Sequence, residues 1–194
     1  MKKKLKLRSG FTLIEFIAAF GIMAFIIVMF NNYITNSYRT MHYVDESNQS
    51  VENAKNIINI MNQEIKEANR AKNGSYAINV AAGQEIIFYS DFDHDNEIEK
   101  IRYYLEGSFL KKDTTEAGAL PYYSGSAATV ILSEYIESSS VIFTYYDENN
   151  NIIINPSANI NQIKLVHIYL EIGRAPINYV IETNVQIRNL KNNY

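Results

Sequence analysis

The chain has no cysteine, which excludes disulfide bridges, thiolate metal ligands and a cysteine nucleophile. Proline and glycine are scarce, three and eight in 194 residues, so the composition is that of a globular chain and not of a disordered one. There is no Gly-x-Ser-x-Gly, no His-Glu-x-x-His and no glycine loop able to cradle a phosphate, so nothing in the sequence points to an enzyme. Basic residues are also short outside one place. Lys2, Lys3, Lys4, Lys6 and Arg8 hold five of the eighteen, leaving the remainder with 13 basic against 21 acidic residues, a net −8. A surface that acidic is poorly suited to phosphate contacts, and no nucleic-acid partner is expected. At this length the chain has room for one ordinary domain and an extended element.

What the sequence does have is a long apolar run. Residues 11–30, FTLIEFIAAFGIMAFIIVMF, contain one charge, Glu15. As a helix they reach about 30 Å, the thickness of a bilayer core. The basic flank before the run predicts a cytoplasmic N-terminus, with everything after residue 30 on the outer face. A secretory signal would have a shorter apolar stretch, followed by a small-x-small cleavage site. Here Asn31, Asn32 and Tyr33 follow the run, and the small residues Ser9 and Gly10 precede it.

Glu15 needs a reason to be there, since a carboxylate in a membrane segment costs about 3 kcal/mol on insertion scales. Two readings stand. It snorkels to water at the membrane edge; or, after a cut behind Gly10, it pairs with the new α-amine of Phe11, its own or a neighbour's.

The stretch Arg8-Ser9-Gly10-Phe11-Thr12-Leu13-Ile14-Glu15 resembles the class III signal of type IV prepilins and type II secretion pseudopilins: a short basic leader, a Gly-Phe junction, a fifth-residue Glu and an apolar helix. The resemblance implies cleavage between Gly10 and Phe11 by a prepilin peptidase and N-methylation of Phe11. It also implies contact of Glu15 with the Phe11 amine of an adjacent subunit during assembly. The partners it implies are other pilins or pseudopilins in a helical filament and an inner-membrane assembly platform. The match is firm over residues 1–35. In one respect the chain departs from the pattern: no proline lies between Phe11 and Ala71, where many pilins kink the helix.

Beyond the apolar run, Ile34, Tyr38, Met41, Val44, Val51, Ala54, Ile58, Met61, Ile65 and Ala68 recur at helical spacing, and Gly74 is the first stop signal. The expected organisation is a leader (1–10), a transmembrane helix (11–30), its amphipathic continuation (31–73) and a globular β-rich domain (74–194). After Gly74 the runs 85–90, 98–106, 108–112, 129–136, 141–147, 162–172 and 178–188 are rich in β-branched and aromatic residues between turn clusters. The fold class expected is α+β, a long N-terminal helix packed on an antiparallel sheet, and the resemblance implies a pilin fold. The segments AATVILSEYIESSSVIFTYYDENN, IKLVHIYLEI and YVIETNVQIRNL resemble the C-terminal half of J-type minor pseudopilins.

Asp91, Asp93, Asp95, Glu97 and Glu99 place five carboxylates in nine residues at the alternating spacing of calcium loops. The match to an EF-hand fails at Asn96, where the turn glycine belongs, and at Arg102, where the bidentate Glu belongs. A solvated hairpin turn and a calcium site are both open, and no other cofactor is expected. The pairs Phe88-Tyr89, Tyr103-Tyr104, Tyr122-Tyr123 and Tyr145-Tyr146 are expected to give one core ring and one surface ring each. His42, His94 and His167 match no ligand spacing.

The expected function is structural: a minor pilin or pseudopilin of a type IV pilus-like or type II secretion filament, at or near the tip and priming assembly. It would sit in the cytoplasmic membrane as a single-pass precursor, then in a periplasmic or cell-surface filament. The competing readings are an adhesive or DNA-capturing module on a pilus and a membrane-anchored binding domain.

Overall fold

The computed structural model describes residues 12–174 and 177–188. The chain divides into two compact units, Met1–Asn48 and Gln49–Tyr194. Helix α1, Leu13–Lys66, begins in the first and ends in the second.

In the first unit the segment Leu13–Tyr38 is long and apolar enough to cross a membrane, and none of it is buried. Phe16 and Phe20, one turn apart, place their ring centroids 4.8 Å from each other. Beyond the most apolar stretch, polar side chains fold back on the helix. Asn31 Nδ2 donates to the Ile27 carbonyl at 3.0 Å, Thr35 Oγ1 to that of Asn31 at 2.9 Å and Thr40 Oγ1 to that of Asn36 at 3.0 Å.

The second unit holds the core. Ala54, Ile57, Ile58, Met61 and Ile65 make one buried stripe on the last turns of α1, at the three-to-four-residue spacing of a helix face. Strands β1 (Ile78–Ala81), β2 (Glu85–Ser90), β3 (Glu99–Glu106), β4 (Phe109–Thr115) and β5 (Ala128–Ser133) form a five-stranded antiparallel sheet in chain order. Strands β6 (Phe143–Tyr146), β7 (Leu165–Arg174) and β8 (Ile177–Gln186) form a second antiparallel sheet. Phe88, Tyr103, Phe143, Tyr145, Ile168 and the helix stripe share one apolar cluster, so both sheets contribute to one core. The β1–β2 turn joins the sheets. The Gly83 carbonyl accepts the N–H groups of Ile142 and Phe143, and the Tyr145 hydroxyl donates to the carbonyls of Ala82 and Glu85.

The architecture is α+β, a long apolar N-terminal helix and an antiparallel sheet domain, as the sequence leads one to expect. Three details differ. The helix ends at Lys66 and not at Asn73. The N–H of Asn69 goes to the Tyr89 carbonyl at 2.8 Å, that of Ala71 goes to Ser75, and the Asn69 side chain accepts the N–H of Arg70, so helix-breaking bonds take over. Gly74 still turns the chain, at φ +84°. Among the described side chains the apolar stripe is partly covered at Val51 and fully buried from Ala54 onward. Ile34, Tyr38 and Met41 are exposed, and they lie in the first unit, which contains no sheet among its described residues. Strand β1 was not expected; four residues are too few for a periodic signal.

Candidate functional site

At the start of α1, Thr12 precedes the first helical residue and Glu15 is the third residue inside. The Glu15 Oε2 atom accepts the backbone N–H of Thr12 at 2.9 Å and its hydroxyl at 2.8 Å, while the Glu15 N–H reaches Thr12 Oγ1 at 3.4 Å. This is a reciprocal capping box, which satisfies donors that a helix N-terminus otherwise leaves open. Sequence reasoning singled out Glu15 and missed Thr12, although Thr-x-x-Glu ahead of an apolar run is the signature. Among the described residues no cation pairs with Glu15, and Oε1 accepts no hydrogen bond. Gly10 and Phe11 lie outside the described residues.

The second cluster sits in the hairpin between β2 and β3, whose last pair is Ser90↔Glu99. Left-handed residues His94 (φ 63°) and Asn96 (φ 70°) curl the loop. Its carboxylates tie it together. Asp91 Oδ2 accepts the N–H of Asn96 at 3.2 Å, Asp93 Oδ1 that of Asp95 at 3.3 Å, Asp95 Oδ1 that of Glu97 at 2.7 Å, and Glu99 Oε2 that of Phe92 at 3.3 Å. One carboxylate oxygen each from Asp91, Asp93 and Glu99 lie within 4.8 Å of one another. Asp95 and Glu97 are not in that group. Glu97 instead pairs with Lys72, just beyond the end of α1, and His94 Nε2 lies 3.7 Å from Glu67 Oε2.

Glu99 is 1% exposed. Burial pushes its carboxyl up to about 7, with Glu116 and Asp93 adding to the rise and the N–H groups of Phe92 and Glu99 opposing it. Among the described residues Glu99 Oε1, Asp91 Oδ1 and Ser90 Oγ are buried without a hydrogen-bond partner.

A third polar group is buried in the domain. Glu64, on the last turns of α1, accepts the Tyr103 hydroxyl from β3 and the Lys112 ammonium from β4, each at 2.5 Å. Lys112 also sits 4.5 Å from the centre of the Phe92 ring. Burial and the neighbouring Glu64 charge push the Tyr103 phenol well above its ordinary range. No local sequence signal could reveal this triad, because its members come from three elements.

In two of the aromatic pairs, Tyr103-Tyr104 and Tyr145-Tyr146, one ring is buried and one partly exposed. Phe88 and Tyr89 are both buried, because Tyr123 covers Tyr89 at 5.0 Å between centroids. Tyr122 and Tyr123 lie in the segment between β4 and β5 and are both partly exposed. His167 faces Glu182 across β7 and β8 at 3.5 Å, and the side chain of His42 lies outside the described residues. No protein-family model matches this sequence, and none of the curated proteins compared with it is a significant match.

Proposed function

We propose that the chain is a pilin-like filament subunit, made as a membrane-inserted precursor. In this reading a prepilin peptidase cuts between Gly10 and Phe11, Phe11 is N-methylated, and the helix then packs into a filament of related subunits on an inner-membrane platform. The observation that carries the proposal is Leu13–Tyr38, a 26-residue apolar helix segment with none of its length buried and Glu15 as its one charge. An apolar surface of that extent requires a cover, lipid first and neighbouring helices afterwards. A basic leader ahead of it and an antiparallel sheet domain after it suit a pilin fold. The aromatic-rich sheet domain suits a minor subunit of the J type, placed at or near a filament tip and priming assembly.

The capping box is compatible with the proposed assembly contact. Thr12 uses one oxygen of Glu15, Oε2, so the other can receive a neighbour's α-amine. Both groups would then leave lipid as a pair, which offsets the cost of burying either.

The test is to express the chain with a prepilin peptidase and measure intact mass and N-terminal sequence. A mature protein ten residues shorter than the 194-residue chain, starting at a methylated Phe11, is expected. An unprocessed start at Met1, or a cut after residue 30, overturns the proposal.

A further inference from the structure

We infer that Asp91, Asp93 and Glu99 form a binding site for a hard divalent cation, with calcium the expected occupant. The donors are all carboxylate oxygens, the set that calcium and magnesium prefer, and one oxygen from each residue lies within 4.8 Å of the others.

The independent observation is the state of the buried oxygens. Each carboxylate spends one oxygen on a loop N–H group: Asp91 on Asn96, Asp93 on Asp95 and Glu99 on Phe92. The second oxygens of Asp91 and Glu99 are buried and have no hydrogen-bond partner among the described residues. Glu99 is 1% exposed, so water cannot easily make up the loss. Among the described residues no Lys or Arg pairs with Asp91, Asp93 or Glu99, because Lys72 is taken by Glu97 and Lys112 by Glu64. Three carboxylates this close, one of them buried where its charged form is disfavoured, gain from a cation that neutralises them together. Asp93 is exposed, which leaves a path for the ion from solvent.

Glu99 would enter from the first residue of β3 and the two aspartates from the loop that follows β2, so the ion would bridge a strand and its own hairpin tip. The tip already meets the segment just beyond α1 through Lys72–Glu97 and His94–Glu67, and a bound ion would hold that face of the sheet domain together.

The experiment uses the full chain in detergent micelles, titrated separately with calcium chloride and magnesium chloride by calorimetry and followed by thermal unfolding against a chelator. One site is expected, with a midpoint rise of about 4 °C or more at saturating calcium. Asp93→Asn and Glu99→Gln should each weaken binding at least about tenfold. Glu99→Gln in chelator should unfold no earlier than wild type, since it replaces a buried carboxyl whose charged form is disfavoured with a neutral group of the same shape; this also guards against a variant that fails to fold. Saturation by magnesium with the same loss in both variants supports the same site. A folded wild type with no heat and no shift for either ion at millimolar concentration overturns the inference. So does a response that both variants retain in full.

Discussion

Glu15 and Thr12 hold each other at the head of α1, the carboxylate taking both the N–H and the hydroxyl of Thr12 through a single oxygen. The residue proposed to recognise a neighbouring subunit is therefore also the residue that closes its own helix. These roles have different chemical requirements. Capping needs an oxygen acceptor at the third helical position; pairing with an α-amine needs a negative charge.

Glu15→Gln separates them. The amide keeps an acceptor for Thr12 and loses the charge, whereas Glu15→Ala loses both. Under the proposed assembly both variants insert and fold like wild type but fail to enter filaments, and Thr12→Ala, which keeps the charge, still enters. Filament yield scored by immunoblot of sheared material is the measurement. Wild-type assembly by Glu15→Gln would assign the carboxylate to capping alone.

The Glu64–Tyr103–Lys112 triad should behave as a coupled unit. Lys112→Ala leaves the Glu64 carboxylate buried and unpaired, at a cost of about 3–5 kcal/mol. Tyr103→Phe removes one donor and costs about 1–3 kcal/mol. Denaturant unfolding of the single and double variants should show non-additivity, with the double less damaging than the two singles combined. Strict additivity would mean that the three groups do not share a network.

Asp147 organises the turn after β6. Its carboxylate accepts the N–H groups of Asn149 and Asn151, both at 2.8 Å, and the Asn151 side-chain amide at 3.1 Å. The Asn151 backbone N–H is the main cause that holds its carboxyl below the usual range. A carboxyl lowered on folding adds stability above its unfolded value and loses it as pH falls through the folded one. Asp147→Asn should therefore unfold at a lower temperature than wild type at pH 7, and the two midpoints should converge as pH drops below about 4. A difference independent of pH would locate the effect in shape, not charge.

The elements that could be read from the chain are those with strong local signals. The run at Glu85–Ser90 is bounded by Gly83 and an acidic turn, and it forms a strand over those same residues. Strand β5 stops at Ser133, short of the expected 136. Ile136 leaves the first sheet to bridge Ile172 in the second, a pairing that depends on a residue 36 positions away. The Asp-x-Asp spacing points to Asp91 and Asp93. It also suggests Asp95 and Glu97, but the left-handed turns at His94 and Asn96 break the alternation and send Glu97 to Lys72. Glu99 is different in kind from the other four. It is the first residue of β3, and only the tertiary fold reveals that its carboxylate is shielded from solvent.

The back-folded polar side chains of α1 bear on how the segment would meet a bilayer. Asn31 and Thr35 spend donors on their own helix, within the segment Leu13–Tyr38 that is long and apolar enough to cross a membrane and extends beyond the uninterrupted apolar run. At 26 residues it measures about 39 Å against a hydrocarbon slab of about 30 Å. A helix with that excess either tilts or lifts its last turns into the headgroups. In the upright case Tyr33 and Tyr38 come to the polar boundary, where a phenol can keep its ring in acyl chains and its hydroxyl in water. Were the segment membrane-inserted and drawn toward its C-terminal side, as in the proposed assembly, that surplus length would let its last turns leave the hydrocarbon before the rest.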